Sequence, residues 1–386
     1  MKTCIGSPAR GEKFYIRKKL IEKLWRKIEN GSNLLIVAPR RVGKTSIMCH
    51  FYDRPPEGYF IVFADTEKVN NENEYYRKLL NKIIKSGVLS KIKKALSIIE
   101  QHIPEIKKVG HEGVELGLKS NIDYFDLITK VLKSINESEK KMILMIDEFP
   151  QTLENIIKDF GQEVGRHFLQ SNRELRIDPD LNKTVKYILA GSIGLENIVR
   201  KMNAIGTIND LDTFIINPLQ NSEKIEFINL LLRDVSFELK KEQIDYIFKK
   251  IEWLIPFHIQ LVIEGINDFV VEEEYKDIDN LAIDSVFEEM IKQNNHFDHW
   301  HTRLRTSFNS EEYTFAKEVL NIVSESGIIL SSDIFEIAAK NHLKNNYKEV
   351  ISSLIYDGYI NNDDDENEYR FNSPIVGMWW RKNVAN

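Results

Sequence analysis

One stretch of the sequence has the residue types and the spacing of a phosphate-binding loop. It reads Ala-Pro-Arg-Arg-Val-Gly-Lys-Thr from Ala38 to Thr45 and follows an apolar run at positions 34–37. Gly43 lets the backbone turn its N–H groups toward an anion, and the start of the next helix adds a positive dipole. Lys44 is a compact cation for the β- and γ-phosphates, and the Thr45 hydroxyl is a hard oxygen for Mg²⁺. The stretch predicts binding of a nucleoside triphosphate with magnesium.

The loop departs from the pattern Gly-x-x-x-x-Gly-Lys-Ser/Thr at one position. Ala38 stands where the pattern has glycine, and alanine is tolerated there if its backbone φ is negative. Pro39 and Arg40 form a rigid, basic rim that suits a polyphosphate. The residues expected to contact nucleotide are Ala38, Pro39, Arg40, Arg41, Val42, Gly43, Lys44, Thr45 and Ser46.

Two carboxylates follow a second apolar run, which covers positions 142–146. Hydrolysis needs an acid on the metal side and a group that positions the attacking water. We expect Asp147 to bind the metal together with Thr45, and Glu148 to polarise the water. Ser192, which follows another apolar run, is a candidate sensor of the γ-phosphate and completes a catalytic set with Glu148 and Lys44. For Asp147 and Glu148, the alternative interpretation is that they are two solvated acids at the end of a strand.

The composition predicts a packed chain that is long enough for two or three domains. The chain has 386 residues, of which 42% are hydrophobic and 29% are charged, and its net charge is −6. This acidic balance argues against a main role in coating nucleic acid. Cys4 and Cys49 have neither zinc spacing nor a disulfide framework, which fits a reducing cytoplasm. We find no signal-peptide core and no apolar run of about 18 residues, so we expect a cytoplasmic protein without a membrane segment.

Strands that alternate with helices predict an α/β fold with a parallel sheet covered on both faces. A helix is expected at about 18–30, and strands are expected at 34–37, 59–64, 142–146, 185–190 and 213–216. Because ligands bind at the carboxyl ends of parallel strands, both motifs are expected at one edge of the sheet. Positions of about 90–120 are interpreted as an insertion with a short hairpin.

The rest of the chain predicts two further domains. Positions 222 to about 289 have helical patterns and no strand pattern. After a histidine-rich link at 295–301, three helices are expected at 310–324, 331–340 and 347–357, and two strands at 358–360 and 369–371. This order is typical of a winged helix-turn-helix. We therefore expect an ATPase core at 1–219, a helical lid at 220–294 and a winged helix at 295–386.

Three motifs in this order resemble the AAA+-related STAND ATPases, particularly the "archaeal ATPase" group that also occurs in bacteria. The motifs are A-P-R-R-V-G-K-T, M-I-L-M-I-D-E and Y-I-L-A-G-S-I-G. Similar shorter segments are G-E-K-F-Y-I-R at 11–17, I-N-D-L at 208–211, P-L at 218–219 and Y-R-F-N-S-P at 369–374, followed by two tryptophans. The resemblance covers essentially the whole chain. It implies a P-loop NTPase of the ASCE/AAA+-like kind with a parallel five-stranded sheet, an extra strand between the two motif strands, an α-helical lid and a C-terminal winged helix.

The same resemblance implies three further site residues. Related ATPases often have Gly-x-Pro in the lid, and this chain keeps the proline but not the glycine, so Pro256 is a candidate nucleotide contact. An arginine that acts across a subunit boundary is usual among AAA+ proteins. Arg173 and Arg176 are the candidates by position, and the alternative for both is a solvated surface arginine.

Two patterns could suggest a metal site and a guanine-binding motif, and we interpret neither as a binding site. His296, His299 and His301 lack the spacing of a helical metal-binding pair, so we expect them to serve in packing or capping. The segment Asn-Lys-Thr-Val at 182–185 lacks the final aspartate of a guanine-reading motif. ATP is therefore favoured over GTP.

The charges of the predicted winged helix favour contact with protein over contact with DNA. The wing tip at 363–366 reads Asp-Asp-Asp-Glu, and the third helix is close to neutral. A DNA reader would carry cations at both places. Basic character around Arg303 and Arg305 leaves nucleic acid open.

The leading hypothesis is a slow, Mg²⁺-dependent ATPase that holds ATP between core and lid and acts as a nucleotide-controlled switch or assembly factor. A protein partner or homo-oligomer is expected, and a membrane is not. One alternative is a DNA-binding ATPase that works as a loader or regulator. The other is a scaffold that holds ATP without hydrolysing it, and its suggested place in defence or toxin control comes only from the resemblance.

Overall fold

The chain divides into two units. The computed structural model describes residues 1–87, 93–103, 122–135, 140–191, 194–274, 277–292 and 296–385. Residues 16–38 and 44–216 form one unit, called here the sheet unit, and residues 1–15, 39–43 and 217–386 form the other, the helical unit. Within the described ranges, no helix is long and apolar enough to cross a membrane.

Five parallel strands form the centre of the sheet unit. They are β1 (Asn33–Val37), β2 (Tyr59–Asp65), β3 (Lys141–Asp147), β4 (Val185–Ala190) and β5 (Leu211–Ile215), in the order β2-β3-β4-β1-β5. Ile188 of β4 pairs with Leu34 of β1 and with Met145 of β3, so β4 lies between the two motif strands. The predicted α/β fold with an extra strand is confirmed.

Helices connect these strands. They are α1 (Lys18–Glu29), α2 (Lys44–Asp53), α3 (Glu72–Lys85), α4 (Lys93–His102), α5 (Tyr124–Ser134), α6 (Phe149–Phe160), α7 (Gln162–Ile177), α8 (Leu181–Thr184) and α9 (Leu195–Lys201). Asn71 caps α3 and Asp123 caps α5, because each side chain accepts a backbone N–H of the first turn. Of the predicted insertion, α4 is described, and the predicted hairpin lies outside the described residues.

The helical unit contains nine α-helices within the described ranges, a short 3₁₀ helix at Gly11–Lys13 and a small antiparallel sheet. The helices are α10 (Asn221–Leu232), α11 (Lys241–Ile251), α12 (Pro256–Glu273), α13 (Asn280–Lys292), α14 (Asp298–Ser307), α15 (Ser310–Ser326), α16 (Ser331–Lys340), α17 (Tyr347–Tyr356) and α18 (Pro374–Trp380), which a π-helical turn follows. The strands are β6 (Ile329–Leu330), β7 (Ile360–Asn361) and β8 (Glu368–Phe371), in the order β6-β8-β7. The winged-helix assignment and the three-domain division stay predictions.

Three elements of the helical unit differ from the sequence-based expectation. Helix α14 occupies much of the predicted link, where Trp300 and Leu304 are buried at helical spacing. Strand β6 has two residues and is too short to give an alternating pattern. Helix α18 follows Ser373, whose hydroxyl accepts the N–H of Val376. None of the three carries a long periodic signal in the sequence.

A buried ion pair joins α14 to the end of α17. The Arg303 guanidinium bonds both carboxylate oxygens of Asp357, with Nε 3.1 Å from Oδ2. Burial raises the pKa of Asp357, and the Arg303 charge opposes that rise. Since Arg303 is almost fully buried, its charge is not offered to nucleic acid.

Gly358 lies where a side chain would be strained and crowded. Its φ is +81°, and a Cβ there would lie 2.8 Å from Cη2 of Trp253. We expect Gly358→Ala to lower the free energy of unfolding by about 2–3 kcal/mol, from backbone strain and overpacking together. Gly327 is the matched control, because its φ is +88° with nothing near a Cβ, and Gly327→Ala should cost only about 1 kcal/mol. Equal losses in urea denaturation would contradict the role given to Trp253.

Candidate functional site

The backbone of the phosphate-binding loop fits the alanine at its first position. Gly43 has φ +102° and Arg41 has φ +66°, but Ala38 is not among the described residues with positive φ. The negative φ that alanine needs is therefore present. A left-handed φ at a non-glycine residue costs about 1–2 kcal/mol. Such strain at Arg41 is typical of functional loops.

Both motifs meet inside the sheet unit. Lys44 begins α2 and is only 8% exposed, and its Nζ lies 3.8 Å from Oδ1 of Asp147 and 3.6 Å from Oε1 of Glu148. The Thr45 hydroxyl donates to Oδ2 of Asp147 at 2.7 Å. Since β1 and β3 are parallel, their carboxyl ends deliver these residues to the same edge. The structure thus brings together four of the predicted site residues.

The Asp147 carboxyl is in an environment that disfavours its charge. It is 3% exposed, and burial raises its pKa, while the Lys44 charge and the Thr45 hydrogen bond oppose the rise. The backbone N–H of Glu148 also donates to Oδ1 of Asp147, at 3.1 Å. A carboxylate held this way favours any further cation placed beside it, because the cation replaces the stabilisation lost by burial.

Two threonines outside the predicted motifs hold the end of β3. The backbone N–H and the hydroxyl of Thr66 each donate to the carbonyl oxygen of Asp147 at 3.0 Å. The Thr152 hydroxyl lies 2.7 Å from the Thr66 carbonyl oxygen and 2.8 Å from its hydroxyl. Glu148 follows with φ +56°, a left-handed conformation, and α6 begins directly after it. This network positions the two acids. The sequence signal that could have indicated it is a polar residue directly after β2.

The donor atoms fit a magnesium ion. Mg²⁺ usually takes one or two protein oxygens and completes its shell with substrate phosphates and water. The Thr45 hydroxyl and Oδ2 of Asp147, 2.7 Å apart, offer such a pair. Within the described residues, no group of three or more His, Cys, Asp or Glu side chains could hold a metal by protein ligands alone.

The loop residues 39–43 belong to the helical unit. Arg41 places its guanidinium over the ring of Phe257, 4.6 Å from the ring centroid. Phe257 follows Pro256, which begins α12. The predicted lid proline is thus next to the residue that Arg41 contacts. A cation above an aromatic face contributes about 0.5–1 kcal/mol at an exposed site.

Two buried histidines lie near the loop arginines. Burial, together with the charge of Arg41, lowers the pKa of His258 to about 4. Burial and the neighbouring arginines lower the pKa of His299 to about 3. Both imidazoles are therefore neutral at pH 7. His301 makes a different contact, since its Nε2 lies 2.8 Å from the hydroxyl of Tyr313.

The two arginine candidates for a trans contact have different surroundings. Arg176 is 2% exposed and bonds the carboxylate of Asp210 with Nε at 2.7 Å and Nη2 at 3.0 Å. Arg173 is 38% exposed and donates to Asn209 at 3.3 Å. Both arginines thus pair with Asp210 of their own chain, since Nε of Arg173 lies 3.7 Å from Oδ1 of that residue, but only Arg173 also keeps exposed surface. Ser192 lies outside the described residues.

Comparison with solved structures agrees with this architecture. A Walker-type ATPase of Pyrococcus abyssi superposes with a TM-score of 0.64 at 17% identity, over 98% of this chain and 99% of its own. The ORC2 protein of Aeropyrum pernix, in ADPNP–ADP complexes, gives 0.53 at 8% identity, over 96% of this chain and 94% of its own. The chain has a P-loop NTPase fold. No protein-family model and no curated protein sequence matches it.

The threonine network predicts a stability difference between two substitutions. Thr152→Val keeps the shape of the side chain but removes the hydroxyl that bonds Thr66, which leaves a buried oxygen of Thr66 without its donor, so we expect a loss of about 1–3 kcal/mol in the free energy of unfolding. Thr152→Ser keeps the hydroxyl and should retain the network. Chemical denaturation measures both. A valine variant as stable as the wild type would show that the hydroxyl does not hold the end of β3.

Proposed function

We propose that this chain binds ATP with Mg²⁺ and hydrolyses it slowly. The observation that supports the proposal is the convergence of Lys44 and Thr45 with Asp147 and Glu148. If Lys44 belonged only to a basic turn, and Asp147 and Glu148 only to a solvated strand end, these side chains would have no reason to be buried together. In the structure, Nζ of Lys44 lies 3.6–3.8 Å from the two carboxylates. Buried charges are kept together when they serve a common ligand or compensate one another, and this cluster contains the parts of a phosphoryl-transfer site.

Each residue has a proposed role. Lys44 stabilises negative charge on the β- and γ-phosphates, and the N–H groups around Gly43 bind the same oxygens. Thr45 and Asp147 hold the metal, which when bound neutralises charge on the phosphate oxygens. Glu148 polarises the attacking water, and its left-handed backbone, fixed by the Thr66–Thr152 network, orients its carboxylate.

We further propose that nucleotide controls a switch or an assembly step in a cytoplasmic protein with the predicted lid and winged helix. The strained backbone at Arg41 and Glu148 supports this, because such conformations collect at sites that change shape. Nucleotide could shift the protein only in proportion to its differential affinity for two arrangements. Pro256 and Ser192 are proposed as nucleotide contacts, and Arg173 is proposed as the contact to a neighbouring copy or partner.

A DNA-binding function has weaker support in the helical unit. Arg303 is committed to Asp357, and Arg370 bonds Glu252 and also Asp364 of the acidic tip. Carboxylates of the same chain therefore neutralise the charges of these two arginines. A protein partner fits the remaining negative surface better than a phosphate backbone does.

The first test concerns the loop lysine. Lys44→Ala should weaken binding of a fluorescent ATP analogue by about ten- to hundredfold, because hydrogen bonds to charged groups contribute about 1.5–3 kcal/mol. Lys183→Ala is the control, since this lysine lies in the same unit and is 73% exposed. Equal affinity of the Lys44 variant and the wild type would refute the proposed site.

The second test separates binding from hydrolysis. Glu148→Gln should bind the analogue as the wild type does but release phosphate about 10²–10⁴-fold more slowly, because an amide cannot act as a base. Glu163→Gln is the control in the same unit, with a side chain that is 83% exposed. Phosphate release by the Glu148 variant at the wild-type rate would remove the assignment of Glu148 to the water.

A further inference from the structure

A groove in the helical unit lies between α12 and α13, and none of its lining residues belongs to the phosphate-binding loop. Its volume is about 510 Å³, within the range of ligand pockets in proteins, about 300–1,000 Å³. The buried apolar side chains of Leu261, Val286 and Met290 line it, and the partly buried Phe269 adds an aromatic surface. These side chains give the groove an apolar interior, while polar side chains make up the larger part of its whole lining.

A row of carboxylates runs along one side of this groove. Glu264, Asp268 and Glu272 occupy positions i, i+4 and i+8 of α12, so they extend over about 12 Å. Like charges at this spacing destabilise a helix. Burial raises the pKa of Asp268, and the charges of Glu264 and Glu272 add to that rise. In the part of the chain that the structure describes, neither Asp268 nor Glu272 has an ion-pair partner.

The opposite side does not supply the missing positive charge. Helix α13 contributes Glu288 and Glu289, and its Lys292 bonds Glu289 at 2.9 Å. His296 also lines the groove, but burial and the charge of Arg41 lower its pKa. The groove thus has five carboxylates and one lysine, which is already paired. Apart from the Glu289–Lys292 pair and the Thr3 hydroxyl, which donates to Glu264 at 2.5 Å, the carboxylates of the groove are not compensated in the part of the chain that the structure describes.

Charge and shape restrict what could occupy the groove. A nucleic acid is excluded by repulsion between its phosphates and the carboxylates. A single metal ion is a poor fit, because no described group of three or more acidic or histidine side chains converges on one point. The spacing of 264, 268 and 272 matches lysines or arginines one turn apart on a helix. The apolar interior matches the apolar face of the same helix.

We propose that this groove docks a basic amphipathic helix of a partner protein. Apolar side chains of that helix pack on Leu261, Val286 and Met290, and its cations pair with Asp268 and Glu272. The carboxylates would speed the encounter and select the partner, and the apolar contacts would hold it. The proposal does not depend on ATP hydrolysis, because no groove residue belongs to the phosphate-binding loop or to β3.

The test uses a fluorescein-labelled helical peptide with leucines on one face and lysines at i, i+4 and i+8. Its anisotropy should rise with the full-length protein, and its affinity should fall as salt increases. The double variant Asp268→Asn, Glu272→Gln should weaken binding about tenfold or more. The same variant should unfold at the same or a slightly higher temperature, because it removes repulsion within α12. Its ATP binding should be unchanged.

Two controls decide whether the groove is specific. Asp363→Asn with Glu366→Gln removes two exposed carboxylates from the same unit, and this variant should bind the peptide as the wild type does. A peptide with glutamate in place of each lysine should not bind. The proposal is overturned if the groove variant binds like the wild type, or if the tip variant loses as much affinity as the groove variant does.

Discussion

The candidate site depends on the pairing of buried charges at the edge of the sheet. Lys44 could not be buried alone, since removing an isolated charge from water costs several kcal/mol. Asp147 and Glu148 compensate it, and Thr45 donates a hydrogen bond to the same carboxylate. The strand order makes this pairing possible, because β4 pairs with both β1 and β3 and holds their carboxyl ends at one edge. The remaining contacts of the site serve to hold this arrangement in place.

The sequence predicted those parts of the fold that are carried by continuous local patterns. All five strands of the parallel sheet were expected within two residues of where they lie, because strands covered on both faces are largely apolar. The largest error was at β5, where Asp212 interrupts the apolar pattern and the strand begins two residues earlier than expected. The proximity of Lys44 and Asp147 could be predicted because the carboxyl ends of parallel strands lie at a common edge of the sheet. Helices α16 and α15 were expected at or near their observed bounds for the same reason of periodicity.

Contacts between residues distant in sequence could not be predicted in this way. Thr66 and Thr152 meet only because β2 lies beside β3, and no motif indicates that neighbourhood. Arg176 was a candidate for a contact across a subunit boundary, with a solvated surface arginine as the alternative, and neither interpretation indicated its buried pair with Asp210. The segment 295–301 was predicted to be a link because it is rich in histidine and aromatic residues, although Trp300 and Leu304 make one buried stripe of α14. In each case the missing information was tertiary.

The pair formed by Arg303 and Asp357 has a mechanical consequence. Removing one partner of a buried, hydrogen-bonded ion pair typically costs about 3–5 kcal/mol. A rearrangement that separated α14 from α17 would leave the charges of both Arg303 and Asp357 without their partners. Such a rearrangement would also expose Trp300, whose carbonyl oxygen accepts the hydroxyl of Tyr359. Separating α14 from α17 is therefore costly. We expect any change of shape in this region to occur in the connecting segments rather than between these two helices.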